Sequence, residues 1–225
     1  MELDNCPFPD NLVYYPEDGV WVDVSNVEVA ENGVVIGITS IIATLAGKLS
    51  SVKFKLPNEQ VMRGRSVAVI ESHKFVGAVR TPLTGTIIES NAALVDAPQL
   101  ASTDPYGLGW IAKLKPTKFE AEQQFLQRID SCAVEFSSLR KRLGVRCYKE
   151  FPDHEMYEIG TECAAVLIRL DELMTRIEVG KVVLVVSDDP TAQIEMIRWR
   201  DQSGQMLAES RKEDGIYHFI VKKVH

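Results

Sequence analysis

The sequence predicts two domains of different class, an all-β domain followed by a small α+β two-layer sandwich. Three observations carry this. From Leu12 to about Leu114, short alternating stretches such as VWVDV, VKFKL and TIIES are separated by turn signals. Between Lys118 and Leu143 the apolar residues change to helical spacing. Residues 155–225 then read strand, helix, strand, helix, strand, strand. The division that follows is a β domain over 1–118, a helix packing on it over 119–143, a linker over 144–154 and the α+β domain over 155–225.

In the first domain, Asp18-Gly19, Asn32-Gly33, Pro57-Asn58 and Thr84-Gly85 mark turns between strands, a rhythm that suits a compact sandwich or barrel. One short helix interrupts it at Ser40 to Ala46 and is closed by Gly47. The trailing helix is amphipathic, with Phe125, Ile129, Cys132, Phe136, Leu139 and Leu143 on one face and Gly144 as its stop. VRCYKEFPDHE has turn and polar character.

In the second domain, EMYEIG reads as a strand and CAAVLIRLDELMTRI as a helix stopped by Gly180. KVVLVVS is a fully apolar buried strand. DDPTAQIEMIRWRDQ is a second helix, with Asp188 or Asp189 as cap and Pro190 in the first turn. QMLAES and IYHFIVKKV close the domain as a hairpin through Asp214-Gly215. Both helices would then cover one face of a small sheet.

Composition narrows the function. With 45% hydrophobic and 25% charged residues the chain is an ordinary globular one. A net charge of −7 argues against nucleic acid, which wants a basic face. The acidic N-terminus MELDNCPFPD shows no leader, and the longest apolar run, IGITSIIATLAG, is too short for a membrane span. A cytoplasmic setting follows, in which Cys6, Cys132, Cys147 and Cys163 are expected as free thiols. Their spacing fits neither a zinc knuckle nor a CxxC pair. His154, Glu155 and Glu158 lack metal-ligand spacing, so no metal site is expected. Nothing resembles a catalytic triad or a phosphate-binding glycine loop.

Two residues stand out. VAVIESHKFVGAVRTP places Lys74 at the apex of a hairpin between strand-like runs of similar length. An apical lysine is ordinarily a solvated charge, but a rigid turn also suits covalent attachment of a swinging arm. Cys163 opens an apolar helix, where free N–H groups and the helix dipole stabilise thiolate over thiol. A buried, inert cysteine is the competing reading.

GITSIIATLAG, VAVIESHKF, TPLTGTIIESNAAL and DPYGLGWIAKLKP together resemble the glycine cleavage H protein and its lipoate-binding relatives, over about 10–143. The resemblance implies a barrel-sandwich hybrid fold and lipoic acid in amide linkage on Lys74. Glu71 and Ser72 match the family's residues just before the lysine, and with His73 they would take part in recognition of the hairpin. His73 and Phe75 depart from the family's usual small or aliphatic neighbours. The lysyl-lipoyl arm reaches on the order of 14 Å by summed bond lengths. GTEC, the helix to IEVG, VVLVVSDDPTA and DGIYHFIVKKV are similar to the TusA/SirA-like sulfurtransferases. That similarity puts Cys163 in the place of a persulfide-carrying cysteine and makes Cys147 a decoy. The family's Pro-x-Pro after the cysteine is replaced here by Ala164, Ala165 and Val166.

The functional expectation is a lipoate-bearing carrier fused to a sulfur carrier, passing sulfur between enzymes through Lys74 and Cys163. Its partners would be a lipoate ligase and sulfur-transfer or heterodisulfide-reductase-like enzymes. The alternative is the glycine-cleavage role, with an aminomethyl group on the arm, glycine cleavage enzymes as partners and the second domain as an interaction module.

Overall fold

The computed structural model describes residues 1–25 and 32–225 and forms two compact units, Met1–Cys147 and Tyr148–His225. The first unit begins with a small hairpin, β1 (Glu2–Leu3) and β2 (Cys6–Pro7), and continues through β3 (Val13–Tyr15), β4 (Val20–Asp23) and β5 (Val34–Ile38). Helix α1 (Ser40–Ala46) follows, then β6 (Ser51–Phe54), β7 (Gln60–Val61), β8 (Ser66–Glu71), β9 (Val76–Arg80) and β10 (Gly85–Ser90). Two one-turn helices that the sequence did not announce, α2 (Ala93–Asp96) and α3 (Leu100–Thr103), precede β11 (Ala112–Pro116).

The strands make a β-sandwich. One sheet runs β3-β4-β5-β11-β10-β7 and the other β6-β8-β9. Alternation dictates the core between them: Val52, Ile70 and Val79 point inward from the smaller sheet to meet Val22, Ile36, Ile87 and Leu114.

The trailing helix is shorter than its apolar spacing suggests. It splits into α4 (Phe119–Glu122), a 3₁₀ turn over Gln123–Phe125, and α5 (Ile129–Leu143). Gln127 is held extended by two backbone bonds to Tyr14, of 2.7 and 2.9 Å, so no helix can run through it. Phe125 leaves the core stripe and lies under the Arg63 guanidinium, 3.8 Å from the ring centre. The rest of the stripe, Ile129, Cys132, Phe136 and Leu139, packs on Phe8, Tyr14 and Ile41 in a second core.

That second core corrects the expectation of four free thiols. Cys6 and Cys147, 141 residues apart, form a disulfide beneath α5, and both are buried. Cys132 and Cys163 are free. Val145 and Cys147, in the stretch read as a linker, are core residues of the first unit. The reading missed this because the pairing is a product of how the ends of the unit meet, and spacing carries no trace of it.

The second unit has the order β12 (His154–Glu158), α6 (Cys163–Arg176), β13 (Val182–Ser187), α7 (Ala192–Ser203), β14 (Met206–Glu213) and β15 (Ile216–Lys222). Its sheet runs β12-β13-β15-β14, with β12 and β13 parallel and the other pairs antiparallel. Val166, Leu170 and Met174 of α6 and Met196 and Trp199 of α7 cover Val183, Val185, Phe219 and Val221 on one face. Among the described residues no helix is long and apolar enough to cross a membrane.

Candidate functional site

The β8–β9 hairpin is closed by Ser72 and Phe75, whose backbones bond at 2.8 Å from the Ser72 N–H to the Phe75 carbonyl. His73 and Lys74 are left as the exposed apex. Ser72 fixes this turn from below. Its buried hydroxyl donates to the Ala46 carbonyl at the end of α1, at 2.6 Å, and accepts the Lys74 N–H at 3.2 Å. The base of the lysine is therefore tied to a helix terminus, while its side chain remains at the surface.

Sequence reasoning missed the part played by α1. Gly47 was legible as a helix stop, and its φ of +68° agrees with that. It is also the seat of the lysine: a Cβ at Gly47 would come within 2.5 Å of Lys74 Cε. The Ser102 hydroxyl of α3 holds the Gly47 carbonyl at 2.6 Å. Phe75 folds back over Gly77, where a Cβ would meet its ring at 2.5 Å, and packs on the sandwich core. The residue that departs from the family's aliphatic neighbour is thus a half-buried anchor of the turn. A groove of about 450 Å³ opens beside it, lined by Ile42 and Leu45 of α1, Phe75, Val76, Arg80 and Leu143.

Of the flanking residues, Glu71 ends β8 and accepts from Ser51 Oγ at 3.2 Å and from Lys53 Nζ at 3.4 Å. His73 is exposed at the apex without a structural role that the described contacts reveal.

Cys163 is the first residue of α6, as the pattern suggests, and of the two readings of its thiol the surroundings favour the buried one. Its own N–H is taken by the Asp189 carboxylate at 2.8 Å, which brings negative charge beside the sulfur. The residue is only 4% exposed. Burial, then Asp189, then Glu195 push the thiol from 9.0 up to about 11. Helix-start stabilisation of a thiolate is overridden. Asp189 also differs from its expected role. Its other oxygen accepts from the Thr191 N–H and hydroxyl at 2.7 and 2.6 Å, so α7 starts at Ala192 and Asp189 braces the starts of both helices. Asp188 accepts from the Gly160 N–H at 2.8 Å. Glu158 pairs with Arg169, and no cluster suited to a metal occurs among the described residues.

A family model described as "Glycine cleavage H-protein" matches residues 13–136. The chain is 40% identical over 124 residues to the probable glycine cleavage system H protein 2 of Sulfolobus acidocaldarius, covering 54% of this chain and 80% of that protein. It is 36% identical over 149 residues to glycine cleavage system H protein 2 of Aquifex aeolicus, covering 66% of this chain and 90% of that one. Among solved structures, a glycine cleavage system H protein from Mycobacterium marinum matches with a TM-score of 0.51 at 33% identity, covering 58% of this chain and 99% of that chain.

Proposed function

The chain belongs to the glycine cleavage H-protein family, and from that premise we propose that it is a carrier bearing lipoic acid in amide linkage on Lys74 Nζ. The observation that carries this reading is the exposed lysine on an apex whose backbone is locked to α1 through Ser72. The site fits the group. The amine is at the surface, the turn beneath it is held by hydrogen bonds, and a groove lies alongside in which Ile42, Leu45, Phe75 and Val76 offer apolar contact among charged residues such as Glu17, Asp18 and Arg142. The lipoyl group supplies a disulfide that opens to two thiols on reduction and exchanges there. The protein's part is to attach, present and orient: Lys74 anchors, Ser72 and Gly47 set the direction of the stem, and Phe75 fixes the turn. A lipoate ligase and glycine cleavage enzymes are the partners this reading names. Intact mass and peptide mapping of the protein from native cells test it, since one lipoyl increment confined to the Lys74 peptide is required.

A second, narrower reading gives the arm a sulfur cargo and makes Cys163 a persulfide carrier, served by sulfur-transfer or heterodisulfide-reductase-like enzymes. The β-α-β-α-β-β order of the second unit and the place of Cys163 at a helix start favour it. The raised thiol and the flanking carboxylates weigh against it. Supplying glycine and glycine decarboxylase to the lipoylated chain separates the cargoes, because only the first reading requires aminomethyl loading. An extra sulfur on Cys163 in the same native mass spectrum is required by the second.

A further inference from the structure

Charge is distributed unevenly around the lysine. Between Lys48 and Arg80 there are seven basic residues and only two acidic ones, Glu59 and Glu71, in a chain whose net charge is −7. Both acids are already engaged inside this segment, Glu59 by Lys55 at 2.8 Å and Glu71 by Lys53 at 3.4 Å. Arg80 is paired with Asp18 at 3.2 Å, so the positive potential that the segment projects from an acidic protein rests on the other four cations, Lys48, Arg63, Arg65 and Lys74.

The register shows where that potential emerges. Val52, Ile70 and Gly77 are paired across β6, β8 and β9 and face the core; Lys53, Val69 and Ala78 form the neighbouring row and face the other way. This outer face is open, with the Lys53 side chain 74% and Val76 68% exposed. Arg65 is exposed at the end of the sheet remote from the apex, and Lys48 is exposed immediately after Gly47. The outcome is a shallow platform of Val69, Val76 and Ala78 bordered by Lys53 with its partner Glu71, by Arg65 and by Lys48, with Lys74 at one end. A surface of this kind matches a partner that is apolar at the centre and acidic at the rim.

We propose that the outer face of the β6-β8-β9 sheet is the docking platform for the enzyme that attaches the lipoyl group, and that this enzyme presents carboxylates around the mouth of its active site. The proposal rests on the reading of Lys74 as the attachment site. In the attachment step the Lys74 amine attacks the carbonyl of lipoyl-adenylate. The new amide bond replaces the acyl–phosphate bond, AMP leaves with the electron pair, and the amine gives up a proton. The platform takes no part in that chemistry and acts on encounter.

The test uses the full chain, ATP, lipoate and a purified lipoate ligase, with attachment to the Lys74 peptide followed by mass spectrometry. Lys53→Glu/Arg65→Glu should lower the second-order rate about tenfold at low salt, and raising the salt should slow the wild type while leaving the variant little changed. Lys115→Glu/Lys118→Glu, exposed positions outside this sheet with the same change in net charge, should react like the wild type. Normal modification that ignores both salt and the Lys53→Glu/Arg65→Glu change would overturn the platform and leave the carrier reading intact. Equal slowing by the two double variants would also overturn it, since net charge alone would then suffice. Absence of label on Lys74 of the folded wild type under every condition would overturn the carrier reading and the platform together.

Discussion

Reduction of the Cys6–Cys147 disulfide should loosen the first unit far more than the second. The bridge closes a loop whose ends are 141 residues apart in sequence. In the chain-entropy treatment, closing a loop of that size removes about 17 cal/mol/K from the unfolded ensemble, or about 5 kcal/mol at room temperature. That is comparable to the whole stability of many domains. With a urea slope of ~2 kcal/mol/M, the midpoint should fall by roughly 2.5 M. The measurement is urea unfolding with and without dithiothreitol, repeated with Cys6→Ala/Cys147→Ala, and hydrogen exchange to locate the change. Protection should drop in peptides from Met1–Cys147 and stay unchanged in Tyr148–His225, whose Cys163 is free and whose core is separate. The entropic reasoning fails if the midpoint moves by less than ~1 M in both the reduced protein and the variant. Four titratable thiols in the untreated native protein would refute the bridge itself.

Three other outcomes follow from the sites. Ser72→Ala removes the donor to the Ala46 carbonyl and the acceptor of the Lys74 N–H, and should cost about 1–3 kcal/mol in unfolding. The same variant should slow lipoyl attachment; unchanged stability and unchanged attachment would show that the turn does not depend on this hydroxyl. Cys163, with its thiol raised from 9.0 to about 11, should hold roughly a hundredfold less thiolate at pH 8 than an ordinary cysteine and alkylate correspondingly slowly. Asp189→Asn should speed that reaction by removing the adjacent charge, and an equal rate would exclude Asp189 as a cause. The folded thiol holds its proton more tightly than the unfolded one. Its contribution to stability is therefore complete below pH 9 and lost as pH rises toward about 11, which thermal melts of wild type and Cys163→Ala across that window will register.

Much of this molecule is written locally. Alternation and turn residues mark the strands of the sandwich, and the β8–β9 hairpin with its lysine at the tip is a short-range object legible from VAVIESHKFVGAVR. The helix at Ser40–Ala46 and its glycine stop are local in the same sense, as are α6, β13 and α7 of the second unit. Each depends on neighbours within a few residues, where periodicity and capping act. The split of the trailing helix was not legible, because Gln127 answers to Tyr14, more than a hundred positions away.

What the sequence by itself determined is which side chains are offered: an amine at a turn and a thiol at a helix start. Tertiary structure decided what those groups are. Lys74 is seated because the end of α1 brings a carbonyl to Ser72 and a bare glycine beneath its stem. The Cys163 thiol is pushed up because α6 buries it in the core of the second unit and because Asp189, just past the end of β13, takes its backbone N–H and sets a carboxylate beside it. Cys6 and Cys147 are joined because the two ends of the first unit close on one core. Acidity, seating and pairing depend on distance in space, and a chain fixes that distance only once it has folded.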